Sequence, residues 1–140
     1  MTEVHTGGCR CGVVRFEASA EPRHVSYCHC VDCRRASGAP VSAFVGFAAG
    51  DVVFSGQTPT EFGNGTVTRT FCGVCGSPLT YIDARIAGDV YLTLGAMDRP
   101  EDFAPTLHAY VSQKLPYFHM NDGLPQLPRT SVPRPDGTNP

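Results

Sequence analysis

Seven cysteines fall in three clusters along the 140-residue chain. Cys9-Arg10-Cys11 is a C-x-C pair, and Cys72-Gly73-Val74-Cys75 is a C-x-x-C pair. Between them, Cys28-His29-Cys30-Val31-Asp32-Cys33 forms a C-x-C-x-x-C triplet. Four thiolates close a tetrahedral zinc site, whereas three leave a position for water or substrate. The division into two pairs and a triplet therefore predicts two metal sites with different chemistry, one closed and one open.

The first site needs both pairs. Cys72-Gly73-Val74-Cys75-Gly76 has the form of a zinc knuckle, in which Gly73 and Gly76 let the backbone reverse under the sulfurs. In a regular strand Cys9 and Cys11 would lie about 6–7 Å apart, too far for one ion, so the segment must bend. Gly7, Gly8 and Gly12 permit that bend. Joining Cys9 and Cys11 to Cys72 and Cys75 closes a loop of about sixty residues, and such a clamp contributes folding free energy directly. Disulfides and an iron–sulfur cluster are the competing readings. An odd number of cysteines strands one thiol, C-x-C neighbours are poorly placed to bridge each other, and the spacings do not match ferredoxin patterns.

The triplet is local. With a short helix starting near Cys30, Cys30 and Cys33 share one side of it, and Cys28 arrives from the preceding extended segment. Three thiolates on Zn²⁺ leave an open position that would hold a thiol as thiolate or polarise a carbonyl. Alternatively His29, Asp32 or His5 fills the fourth position and the site is structural. Arg34 and Arg35 are candidates for binding an anionic substrate, or simply a solvated pair. His108 and His119 read as packing or hydrogen-bonding histidines, and Tyr110, Tyr117 and Phe118 as core or cleft-lining aromatics.

The elements that must position these residues are mostly strands. Period-two alternation marks 41–47, with Val41, Ala43, Val45 and Phe47 on one side, and also 66–71 and 90–94. Further strands are expected near 13–17, 52–54, 79–82 and 107–111. Gly50-Asp51, Gly63-Asn64-Gly65 and Gly88-Asp89 supply turns between them. The one clear helix runs over Val31–Ser37, capped by Gly38 and stopped by Pro40; a short turn is expected at Pro100. The chain should be one domain over 5–125. A Pro-rich tail over 126–140 should be disordered or peripheral, since five of the twelve prolines fall from Pro125 onward.

Net charge of −2, with ten arginines and Lys114 as the sole lysine, argues against nucleic acid as a partner. No apolar run reaches the roughly 18 residues that span a bilayer, and the opening residues lack a secretory pattern, so no membrane association and a cytoplasmic location are expected. Reduced thiols there favour metal over disulfide.

The chain resembles the glutathione-dependent formaldehyde-activating (GFA) family, whose domains include the CENP-V type. The resemblance rests on Gly8-Cys9-Arg10-Cys11-Gly12, on 28–40 from Cys28-His29-Cys30 to Gly38-Ala39-Pro40, and on Phe71–Leu79. It continues through His108-Ala109-Tyr110-Val111 and Lys114-Leu115-Pro116-Tyr117. It implies a mainly β, Mss4-like (β-tent) fold with short helices and two zinc ions per chain. Cys9, Cys11, Cys72 and Cys75 would be structural ligands, and Cys28, Cys30 and Cys33 would hold the catalytic zinc. It also implies a carbon–sulfur lyase using a small thiol such as glutathione and an aldehyde. A non-catalytic, zinc-stabilised binding module of the CENP-V type is the alternative, and such a module would normally carry a basic surface. A methionine sulfoxide reductase would need a cysteine free of metal, and none is left over. Tyr117 stands where many members carry tryptophan.

Overall fold

The computed structural model describes residues 3–133, and the chain is mainly β. Strands β1 (His5–Gly8), β2 (Val14–Ala18) and β5 (Val52–Gly56) form an antiparallel three-stranded sheet with β2 in the middle. The other seven are β3 (His24–Cys28), β4 (Ser42–Ala48), β6 (Thr60–Gly63), β7 (Val67–Phe71), β8 (Pro78–Asp83), β9 (Asp89–Thr93) and β10 (His108–Ala109). They build a larger sheet in the order β10-β3-β4-β9-β8-β7-β6, antiparallel except for the β10–β3 pair. Among the described residues the one α-helix, α1 (Val31–Ser37), follows β3, and four single-turn 3₁₀ segments include the expected one at Pro100–Asp102.

Alternation along β2 buries Val14, Phe16 and Ala18, which pack against Val45 and Phe47 of β4, Leu79 of β8 and Leu92 of β9. The sequence pattern predicts one buried face for the 41–47 segment, but β4 is buried on both. Phe44, on the opposite side from Val45, joins Tyr91 and Cys33 in a second cluster. Successive strand residues point to opposite faces, so β4 and β9 serve the core with one face and the triplet with the other. In β7 the face of Val67, Arg69 and Phe71 is half-buried, and Thr70 is the buried residue, its hydroxyl 2.5 Å from that of Thr80. Val67 and Arg69 line a cavity instead.

Three strands lack a readable signal. β1 carries Gly7 and Gly8, residues depleted in strands, yet a Cβ at Gly7 would lie 2.4 Å from the Phe16 ring and 2.5 Å from the Ala96 carbonyl oxygen. β3 and the short edge strand β6 have no clean alternation. At the other end, the expected 107–111 strand shrinks to two residues.

The segment 126–133, expected to be disordered or peripheral, is tied to β10 and the turn after it by backbone hydrogen bonds. Leu127 donates its N–H to His108, while His108, Tyr110 and Val111 donate theirs to Pro125, Arg129 and Leu127. Thr130 is 2% exposed, and Ser131 bonds His24 at 3.0 Å. Residues 134–140 of the expected tail lie outside the described residues. Among the described residues, no helix is long and apolar enough to cross a membrane.

Candidate metal centres

Each cysteine cluster is shaped by a local turn. After β1 the chain bends at 9–12: Gly12 donates its N–H to the Cys9 carbonyl and takes φ +84°, a conformation open to glycine. The bend brings the Cys9 and Cys11 sulfurs to 3.6 Å, and Cys11 lies 3.8 Å from Cys72. The 72–76 turn is the expected knuckle. Val74 and Cys75 each donate an N–H to the Cys72 sulfur at 3.4 Å, and Gly76 closes the turn onto the Cys72 carbonyl with φ +78°. A shift of register between Thr70 and Phe71 marks a bulge where β7 runs into the knuckle, and bulges re-aim the residues beyond them. Ser77 ties the two halves, accepting the Arg10 N–H and lying 3.0 Å from the Cys75 sulfur. The Ser77 hydroxyl is the main reason the Cys75 thiol is lowered to about 5.

The ligand atoms of Cys9, Cys11, Cys72 and Cys75 all lie within 4.8 Å of one another. A tetrahedral Zn–S₄ site with bonds of about 2.3 Å requires sulfur separations of about 3.8 Å. The donor set and its spacing fit zinc.

Cys28, Cys30 and Cys33 meet the same distance criterion. Cys28 ends β3, Cys30 is the N-cap of α1 and accepts the Cys33 N–H on its sulfur at 3.2 Å, and Cys33 sits one turn in, 4% exposed. The helix matches its sequence-based bounds, with Gly38 at φ +75° donating its N–H to Arg34. Hydrogen bonds from the Cys28 and Cys33 thiols hold Cys30 down to about 3, with the Cys33 N–H and the Arg69 cation assisting. Donating those bonds raises Cys28 above the usual thiol range. Hydrogen bonding among the three sulfurs favours ionisation within the cluster, which a divalent metal bound there would complete.

Among the described residues, no other His, Cys, Asp or Glu ligand atom joins these three. The three alternative fourth ligands are engaged elsewhere. His29 is fully buried with Nε2 2.8 Å from His108 Nδ1, and His108 Nε2 lies 2.8 Å from the Asp122 carboxylate. Burial, then the neighbouring His108 and Lys114, lower His29 to about 4, so it is neutral at ordinary pH. Asp32 accepts from Arg69, and His5 lies on β1 against Phe47 and Phe103. His108 is the hydrogen-bonding histidine expected, stacked on Tyr27 at 4.7 Å, and His119 is exposed.

The triplet opens on a cavity of about 700 Å³. Arg69, which sequence reasoning missed, reaches across it from β7. One guanidinium nitrogen lies 2.7 Å from Asp32 and 3.6 Å from the Cys33 sulfur, and the group covers the Tyr81 ring at 4.9 Å. The available signal was a lone arginine inside an alternating strand, on the side of Val67 and Phe71. Arg35 lines the cavity and has no ion-pair or hydrogen-bond partner among the described side chains. Arg34 instead lines a separate groove with Val31, Gly38 and Tyr117, its Nε buried without a partner among the described residues. Tyr110, also on the cavity wall, is the one non-glycine described at positive φ, +56°.

The Arg69 contacts predict that Arg69→Gln keeps the fold but speeds zinc exchange at the triplet by roughly tenfold to a hundredfold, the range for partners of metal ligands. Arg69→Lys should recover part of that loss. Exchange kinetics against a chromophoric chelator measures it, and rates equal to wild type would remove Arg69 from the site.

A family model described as glutathione-dependent formaldehyde-activating enzyme matches residues 4–113. Among solved structures, the chain is similar to the crystal structure of a Rhodobacter sphaeroides protein. Identity is 18%, the match covers 87% of this chain and 98% of that one, and the TM-score is 0.53. At that identity the likeness concerns the fold.

Proposed function

The chain belongs to the glutathione-dependent formaldehyde-activating family, and on that premise we propose that it is a zinc-dependent carbon–sulfur lyase acting on a thiol–aldehyde adduct such as S-hydroxymethylglutathione. The observation that carries this reading is the contrast between the clusters: four sulfurs gathered at a turn, and three beside a cavity with no fourth protein ligand among the described residues. Cys9, Cys11, Cys72 and Cys75 hold the structural zinc, and Cys28, Cys30 and Cys33 hold the catalytic one. A metal at the triplet supplies a Lewis acid that favours the thiolate form of a substrate thiol. Arg35, unpaired among the described residues, offers a cation for a substrate carboxylate, and Arg69 holds Asp32 and Cys33 in place. Arg34 faces a different groove, so its role in substrate binding is the weaker half of the sequence expectation. Small-molecule thiol and aldehyde are the partners of this reading, and a cytoplasmic location suits its reduced thiols.

Two measurements test it. Native mass spectrometry should find two zinc ions per chain, one lost to mild chelation and one retained until unfolding. A single zinc in freshly reduced protein would refute the two-site scheme. Exchange spectroscopy on glutathione, formaldehyde and their adduct should show faster carbon–sulfur bond formation and cleavage with protein present. Rates equal to the uncatalysed reaction would leave the zinc-stabilised binding module ahead.

A further inference from the structure

The surroundings of the three sulfurs are more apolar than a one-carbon partner requires. Phe44 of β4 and Tyr91 of β9 pack with Cys33, and Tyr81 of β8 joins them together with Cys28 and Cys30. The three rings form a continuous wall: Phe44 and Tyr81 have centroids 5.9 Å apart, Tyr81 and Tyr91 6.1 Å. Tyr81 is fixed from two sides, by its hydroxyl donating to Asp83 at 2.7 Å and by the Arg69 guanidinium over its face. A fourth ring, Phe62 on edge strand β6, also lines the cavity and is 75% exposed. An aromatic side chain left in water gains from covering a ligand.

In a thiol adduct seated with its sulfur at the triplet, both carbons bonded to that sulfur, the thiol's own and the aldehyde's, lie within reach of these rings. A tripeptide thiol is polar along its length and suits cations such as Arg35, which lines the same cavity. Of the two groups on that sulfur, an apolar wall suits an apolar aldehyde substituent better than it suits the polar tripeptide. A hydroxymethyl group would cover little of it, and a cavity of about 700 Å³ matches the size that encloses much larger ligands.

We propose that the site takes adducts of aldehydes bearing an apolar, planar substituent in preference to the formaldehyde adduct. This rests on the reading of the triplet as a thiol-adduct site. In the cleavage direction the adduct's carbon–sulfur bond breaks, its hydroxyl loses a proton as the carbonyl forms, and sulfur keeps the bonding pair and takes up a proton. No oxidant or reductant is consumed.

Stable thioethers separate this proposal from the reading beneath it. Titration calorimetry on the zinc-loaded protein would compare S-methylglutathione with S-(2-phenylethyl)glutathione. The phenylethyl compound should bind about tenfold tighter, as expected for burying one aromatic group. Phe62→Ala, a change on an exposed edge strand, should cut that preference by roughly threefold. Equal affinities for the two thioethers, or a preference unchanged in Phe62→Ala, would overturn the proposal and leave the thiol-adduct site standing. Failure of both compounds to bind would overturn both.

Discussion

Cys72→Ser should melt roughly 10 °C or more below wild type, since loss of a structural metal ligand belongs among the few changes costing about 4 kcal/mol or more. Cys72 is 1% exposed and belongs to the main core. Its sulfur accepts two backbone N–H groups and lies 3.8 Å from Cys11, 61 residues away. A serine oxygen is shorter, harder and protonated at neutral pH, so it neither reaches the ion nor replaces the thiolate. The loop between Cys11 and Cys72 then loses its clamp, and its closure entropy returns to the unfolded state. Thermal denaturation followed alongside zinc release measures the effect. A melting temperature within a degree or two of wild type would show that the four-sulfur site does not hold the fold.

Cys30→Ser should have the opposite profile. Cys30 is the N-cap of α1, and serine is among the best N-caps, so its hydroxyl can accept the Cys33 N–H and preserve the helix start. The variant should melt near wild type, carry one zinc instead of two, and lose adduct exchange by about a hundredfold or more. Serine also removes a sulfur whose ionisation its two thiol neighbours favour by hydrogen bonding. Circular dichroism, zinc content and exchange rate on the same sample decide the matter. If Cys30→Ser and Cys72→Ser unfold alike, the triplet is structural and the lyase reading fails.

What the sequence revealed and what it hid follow the range of the interactions. Cysteine spacing is local, so the knuckle, the bend at 9–12 and the triplet on α1 were readable before any contact was known. Gly38 and Pro40 likewise announced the end of the helix from within six residues of its middle. Arg69 was not readable as a site residue, because its partners Asp32 and Cys33 lie 37 and 36 positions away. The ring wall was hidden for another reason. Phe44 and Tyr91 sit in strands whose alternation looks one-sided, and only the order β4-β9-β8 reveals a second buried face. The docked 125–132 segment reads as tail by composition because most of its ties are backbone bonds to 108–112, which leave little mark on side-chain choice, while Thr130 and Ser131 add side-chain anchoring.

That docked segment also sets an order of events during synthesis. Cys28, Cys30 and Cys33 emerge early, whereas Tyr110, Thr130 and Ser131, which complete the cavity around them, come up to about a hundred residues later. At roughly 5–20 residues per second the nascent chain carries three unshielded thiols for something like 5–20 seconds. On the proposed two-zinc scheme, an ion for the triplet can therefore be acquired on the ribosome, before the pocket exists to screen what arrives. Supply of zinc, or exposure to oxidant, during that interval would decide how much of the finished protein is competent, without any change to its folded state.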